Sequence, residues 1–210
     1  MILLVHGWGY DATIWDEMAD RLAGLPVRRI DLGFFGQEQL VLPPEPCIGV
    51  GHSLGFLWLL RHALPVCKAL VAVNAFPRFT ETADFQPAVA PRLLTRMRQQ
   101  FQRQPAAVLA DFWQRCGAVG PARSAETSPL SAGLGWLQDW DGRDRLAGFN
   151  GPLTVIASRL DAIVSPAMTM QAFAGRDVHW HERAGHALPQ QDPSWLATQL
   201  RPIWDSASHG

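Results

Sequence analysis

The five residues Gly51-His52-Ser53-Leu54-Gly55 constrain this chain more than any other stretch. They follow a short apolar run, Cys47-Ile48-Gly49-Val50. They precede Phe56-Leu57-Trp58-Leu59-Leu60-Arg61-His62-Ala63-Leu64, which reads as a buried helix. Strand, sharp turn and helix form the context in which a G-x-S-x-G pattern acquires meaning. A serine at the tip of so tight a turn sits at strained backbone angles, and a Cβ on either neighbouring glycine would collide with strand and helix. The Ser53 hydroxyl then stands proud of a sheet, with the N–H groups of a helix start aimed at the same point.

Further apolar runs read as buried parallel strands, because they are continuous rather than alternating. They are Ile2–Val5, Val27–Asp31, Ala69–Asn74, Leu153–Ser158 and Asp177–Glu182. Helical patterns alternate with them at Thr13–Ala23, Phe56–Leu64, Pro166–Phe173 and Trp195–Trp204. The alternation predicts an α/β fold with a mostly parallel sheet of about six strands flanked by helices. Its site belongs at the C-terminal ends of the strands.

Nearly eighty residues break this rhythm between Asn74 and Leu153. They hold helical patterns at Ala90–Gln104, Pro105–Cys116 and near Leu130–Trp140, but no strand run. The expected organisation is a core of residues 1–78 and 147–210, with a helical cap of residues 79–146 inserted after the strand ending near Asn74. Between Ala88 and Ala125 lie six arginines (Arg92, Arg96, Arg98, Arg103, Arg115 and Arg123) against one acid, Asp111. That local net of +5 contrasts with −1 for the whole chain. It is read either as a solvated helix face or as a docking surface for an acidic partner.

With 210 residues, 48% of them hydrophobic and 18% charged, the chain can bury a core as a single domain, and its charge balance excludes a general nucleic-acid binder. Nine tryptophans stand against one tyrosine; most read as core, and some as pocket walls. Three widely spaced cysteines, Cys47, Cys67 and Cys116, suit neither a disulfide framework nor a metal site. No basic leader, cleavage site or membrane-length apolar run is read, so a cytoplasmic monomer with no membrane partner is expected. The absence of a glycine-rich phosphate loop, HExxH or paired Cys/His spacing implies no metal or organic cofactor.

A serine hydroxyl is a poor nucleophile at neutral pH; it needs a base within hydrogen-bond reach and an acid to orient that base. For this turn type the chain order is Ser, then Asp or Glu, then His. Asp161 follows the run Leu153–Ser158 and precedes the helix start at Ser165-Pro166, which is the expected place for the acid. Asp139, Asp141 and Asp144 read as surface charges or helix ends, and the fourth strand ends in Asn74, not a carboxylate. Among seven histidines, His6 and His52 precede or adjoin the serine, His62 lies on the helix behind it and His209 is in the tail. His179 and His181 alternate along a strand. His186, in the glycine-bearing loop Ala184-Gly185-His186-Ala187, is the expected base. The backbone amides of Leu54 and Trp8 are the expected donors to an oxyanion, the second from the loop His6-Gly7-Trp8-Gly9. The Trp8 indole walls a pocket, and His6 braces the loop.

These residues resemble the α/β-hydrolase superfamily. Within it the chain is similar to the pimeloyl-[acyl-carrier protein] methyl ester esterases. The likeness runs through Leu4-Val5-His6-Gly7-Trp8-Gly9 with Trp15, Gly51–Gly55, Gly133-Leu134-Gly135-Trp136-Leu137 leading to Asp141 and Leu146, and Ala184–Ala187. The resemblance implies an α/β-hydrolase fold and a serine carboxylesterase of biotin biosynthesis. Such an enzyme hydrolyses the methyl ester of pimeloyl-acyl-carrier protein through a Ser53-His186-Asp161 triad and an acyl-enzyme. It also implies an acyl channel lined by Phe112, Trp113, Gln114, Arg115 and Cys116, with Phe101 nearby, and an acidic carrier protein docked on the cap arginines. The family's docking arginines flank the aromatic of that cap helix, whereas this chain has Ala107 and Asp111 at two of those positions. Relatives also begin with an extra strand pair; this chain starts on the strand of the His-Gly loop, which leaves one sheet edge less protected. The alternatives are a general small-ester or lactone hydrolase without a carrier partner and a non-enzymatic ligand-binding or signalling module on the same fold.

Overall fold

The computed structural model describes residues 1–208. Six strands form one sheet: β1 (Ile2–Val5), β2 (Val27–Ile30), β3 (Cys47–His52), β4 (Cys67–Val73), β5 (Leu153–Ser158) and β6 (Val178–His181). Their order is β2-β1-β3-β4-β5-β6, and every neighbouring pair is parallel. The continuous apolar runs explain this arrangement. All six residues of β3 and all four of β1 are buried, as strands covered by helices on both faces require. Each fully buried Val, Leu or Ile contributes about 1.5–3 kcal/mol, so the central strands anchor the fold.

The boundaries moved where local chemistry overrode pattern. The single helix expected over Thr13–Ala23 is a 3₁₀ turn at Ala12–Trp15 followed by α1 (Asp16–Arg21). The Asp11 carboxylate accepts the Thr13 amide and caps the tighter turn. Strand β4 starts two residues early, at Cys67, paired with Cys47. Helix α2 (Leu54–His62) begins directly after Ser53, and its N-terminal five residues are all buried.

Four helices fill the interval between β4 and β5: α3 (Pro91–Arg103), α4 (Pro105–Cys116), α5 (Thr127–Asp139) and α6 (Arg143–Ala147). Prolines open α3 and α4 at positions whose amides have no partner inside the helix, and Gly117 closes α4 in the left-handed conformation. Arg98 on α3 donates to the Gln138 side chain on α5 at 2.8 Å. The link from β4 to α3 is pinned to the far end of this interval, because Arg143 bridges Asp84 and Asp141 at 2.8 Å each. The chain ends with α7 (Pro166–Ala172), the single turn α8 (Leu188–Gln191) and α9 (Pro193–Ser208). No helix of the described residues is long and apolar enough to cross a membrane.

Beside the edge strand β2, Asp31 pairs antiparallel with Gln39, and the Arg28 guanidinium donates to the Leu42 carbonyl at 3.3 Å. Residues 39–42 thus run beside that strand.

Candidate active site

The site is assembled at the C-terminal ends of β1, β3, β4, β5 and β6. Ser53 sits between β3 and α2 with φ 53° and ψ −123°, a conformation that costs a non-glycine residue about 1–3 kcal/mol and persists only where its surroundings enforce it. Glycines at its flanks are required. A Cβ on Gly51 would overlap the Phe56 backbone, and one on Gly55 would overlap the Val5 and His6 carbonyls. Ser53 is 6% exposed, and its amide donates to the Val73 carbonyl at 3.1 Å, which fixes the turn against β4.

Asp161 and His186 meet. Nδ1 of His186 lies 2.8 Å from Oδ2 of Asp161, and both side chains are buried. A carboxylate accepts, so Nδ1 carries the proton. Nε2 of His186 is buried without a hydrogen-bond partner among the described residues, so it presents an open lone pair. The other Asp161 oxygen accepts the Ile163 and Val164 amides at 2.8 Å each, which locks the carboxylate plane. Behind this pair the wall is neutral. Burial, with the Asp161 charge adding to it, pushes the Cys116 thiol up to about 12. Burial first, then Cys116 and the Asp161 charge, raise the Tyr10 phenol as well.

Ser53 lies in the wall of a cavity of about 670 Å³. Trp8, Phe79, Leu94, Val108, Phe112 and Leu137 give it an apolar lining, while Arg96, Gln100, Asp111 and Arg115 add polar groups. The ring of Phe112 stands edge-on to Trp8 at 4.9 Å and to His186 at 6.3 Å, which brings cavity and histidine together. Of the five α4 residues expected at an acyl channel, Phe112 and Arg115 line the cavity. Trp113, Gln114 and Cys116 do not. Lining positions 108, 111, 112 and 115 repeat at helical spacing, so intervening residues face elsewhere. Trp113 donates from Nε1 to the Gly9 carbonyl at 2.7 Å, Cys116 is buried, and Gln114 is exposed. Phe101 packs behind Trp8 at 5.9 Å. Among the tryptophans, Trp8 alone is a lining residue, and its indole donates to the Leu130 carbonyl at 2.8 Å.

The Leu54 amide opens α2, where helix donors lack internal partners, and the Trp8 amide makes no hydrogen bond among the described residues. His6 braces its loop: Nδ1 donates to the Gly7 carbonyl and Nε2 accepts the Leu32 amide, both at 2.9 Å. His179 and His181 are engaged elsewhere, by Gln199 at 3.0 Å and Asp192 at 3.2 Å. Asp141 is bound by Arg78 and Arg143. Asp139 and Asp144 are exposed, at the end of α5 and the start of α6. Of the arginines, Arg115 pairs with Asp111 at 2.9 Å and Arg98 with Gln138. Arg92, Arg96, Arg103 and Arg123 are exposed and form no ion pair among the described residues. No group of three or more His, Cys, Asp or Glu among the described residues is placed to hold a metal ion.

Two residues of this site escaped the sequence reading. Asn74, at φ 45° just past β4, donates from Nδ2 to the Gly185 and His186 carbonyls at 3.0 and 2.8 Å. Its Oδ1 accepts the Ser158 amide at 2.8 Å. His52 Nε2 lies 2.9 Å from the same His186 carbonyl. The only sequence signal was an Asn at a strand end, a residue tolerant of the left-handed region.

Known proteins resemble this chain in sequence and fold. A family model described as the alpha/beta hydrolase family matches residues 2–199. Two pimeloyl-[acyl-carrier protein] methyl ester esterases are each 28% identical to the chain. The one from Aeromonas salmonicida aligns over 79% of both chains, and the one from Pectobacterium atrosepticum over 90% of this chain and 85% of its own. The biotin biosynthesis bifunctional protein BioHC of Cellvibrio japonicus is 25% identical over 98% of this chain, which spans 48% of that longer protein. Among solved structures, an esterase from Exiguobacterium antarcticum superposes with a TM-score of 0.81 at 15% identity, covering 96% of this chain and 90% of its own. The bromoperoxidase from Bacillus anthracis also gives 0.81, at 18% identity, covering 97% and 91%. A strained serine between strand and helix, a histidine seated on an aspartate, and a match along nearly the whole sequence lead to one conclusion: the chain belongs to the alpha/beta hydrolase family.

Proposed function

We propose that this chain is a serine carboxylic ester hydrolase that cleaves the methyl ester of pimeloyl-acyl-carrier protein in biotin biosynthesis. The observation that carries the chemistry is the His186 imidazole, protonated at Nδ1 by its seat on Asp161 and bare at Nε2, beside a cavity that contains Ser53. Ser53 Oγ attacks the ester carbonyl as Nε2 of His186 takes its proton. The Leu54 and Trp8 amides bind the oxyanion. His186 returns the proton to the departing methoxide, releasing methanol. Water, deprotonated by His186, then cleaves the acyl-enzyme and regenerates Ser53.

The names of the curated relatives support the ester class and the substrate, and the apolar cavity suits a linear acyl chain. Residues 79–146 act as a cap over the core formed by 1–78 and 147–210. Arg92, Arg96, Arg103 and Arg123 form the basic surface that receives an acidic carrier protein, because they carry unopposed charge. One observation favours the second reading, a small-ester or lactone hydrolase with no carrier: Arg98 and Arg115 are already engaged within the chain.

The test compares demethylation of the carrier-bound ester with cleavage of a p-nitrophenyl ester. Fast, salt-sensitive demethylation that falls when Arg92, Arg103 and Arg123 are changed to Ala, with the p-nitrophenyl rate unaltered, supports the carrier reading. Cleavage of the simple ester alone leaves the small-ester reading.

A further inference from the structure

The carbonyl oxygen of His186 is where the three arms of the site converge. It accepts from Nδ2 of Asn74 at 2.8 Å and lies 2.9 Å from Nε2 of His52. Because a carbonyl only accepts, Nε2 of His52 must carry a proton. His52 immediately precedes Ser53 on β3. Asn74 reaches in the other direction: its Oδ1 accepts the Ser158 amide at 2.8 Å, its Nδ2 lies 3.1 Å from Ser158 Oγ, and Ser158 ends β5 three residues before Asp161. The Asp161 amide in turn donates to the Ser158 carbonyl at 3.3 Å. One oxygen atom therefore ties the serine-bearing strand and the aspartate-bearing strand to the histidine loop.

The geometry points to His52 and Asn74 as positioning residues that hold the His186 imidazole in register with Ser53. This rests on the reading of His186 as the base. The loop needs such a hold. It carries Gly185, it leaves the sheet after the four-residue edge strand β6, and α8 beyond it is a single turn. Asp161 fixes the ring from one side but not the peptide that bears it. The His52 ring, 4.9 Å from that of His186, and the Asn74 amide fix the peptide. All four residues, Asn74, His52, Ser158 and His186, are buried, so no solvent competes for these bonds.

The experiment uses His52→Leu, His52→Gln and Asn74→Ala in the intact chain, with three readouts. The first is steady-state cleavage of a p-nitrophenyl ester. A displacement of about 1 Å costs on the order of 10²-fold in rate, so kcat falls by about 10- to 100-fold in His52→Leu and Asn74→Ala while KM stays near wild type. His52→Gln, which keeps an N–H at comparable reach, recovers most of the loss. The second is the rate at which a fluorophosphonate labels Ser53, which falls in parallel. The third is the low-field proton resonance of His186 Nδ1–H, which needs no turnover and broadens or shifts in His52→Leu and Asn74→Ala. Folded variants with wild-type kcat and an unchanged resonance overturn the assignment, as does a His52→Gln variant no better than His52→Leu. If wild-type protein does not label but the resonance responds to the variants, the positioning holds and the serine-esterase reading falls instead.

Discussion

Asp161 holds His186 with one oxygen and the backbone of its own turn with the other. Oδ2 meets Nδ1 of His186 at 2.8 Å, and Oδ1 accepts the Ile163 and Val164 amides. The carboxylate cannot swing away from the imidazole without abandoning two amides in a buried site. Asp161→Asn keeps the shape but places an N–H₂ where an acceptor is needed, which favours the wrong histidine tautomer. We expect kcat to fall by about 10⁴-fold, the scale on which a triad loses its orienting acid. Asn at Asp139, Asp141 or Asp144 should leave kcat nearly intact; a larger loss there would reassign the acid.

Ser53→Ala removes the nucleophile and should abolish ester cleavage. Its backbone stays at φ 53°, so thermal stability should move little, by less than about 1 kcal/mol, as is usual for a change that opens no large cavity and strands no buried polar group. Residual turnover near the wild-type rate, measured with folded protein, would remove Ser53 from the mechanism.

Gly51→Ala and Gly55→Ala should fail more severely than any catalytic variant. The added methyl meets backbone in both cases, Phe56 in one and Val5 and His6 in the other, and backbone cannot step aside as a side chain does. Loss of soluble, cooperatively melting protein is the expected result. Native melting of either variant would mean that strand and helix can separate at the turn.

Stability should fall as acid is added, through His52. Burial, and after it the nearby His186, hold the His52 imidazole well below its ordinary value of 6.5. The unfolded chain therefore takes up a proton near 6.5 that the folded chain refuses, so stability is full above that value and declines below it. Burial, then Arg61 and Arg145, lower His62 in the same direction, so it adds to the same window. Melting temperature followed from about pH 7 to about pH 5, around the ordinary histidine value, should drop in wild type and drop less in His52→Gln. Equal slopes would mean that His52 is not the group responsible.

The sheet was legible because burial on both faces writes itself as unbroken apolar runs such as Leu3-Leu4-Val5 and Leu70-Val71-Ala72-Val73. Short elements were not: α6 and α8 have five and four residues, too few to display a period. The serine, aspartate and histidine stood out because local context frames each of them. His52 and Asn74 did not, since both act on a carbonyl 134 and 112 residues away. Lining residues were misjudged where a contiguous stretch, Phe112 to Cys116, stood in for one face of a helix. Only every third or fourth residue of that stretch can look into the cavity.

The indole of Trp113 on α4 donates to the Gly9 carbonyl, and that of Trp8 donates to Leu130 on α5. Both tethers end on the short loop whose Trp8 amide is the proposed oxyanion donor. Lifting these helices to admit a bulky substrate would tug that loop out of place, so access by opening and competence for reaction exclude each other. With the helices down, Leu93, Arg96 and Arg115 line the cavity and are also exposed, so it opens to solvent there. Under the proposed function, such a mouth would sort esters by cross-section before any chemistry begins, for a slender chain on a large carrier as for a slender chain alone.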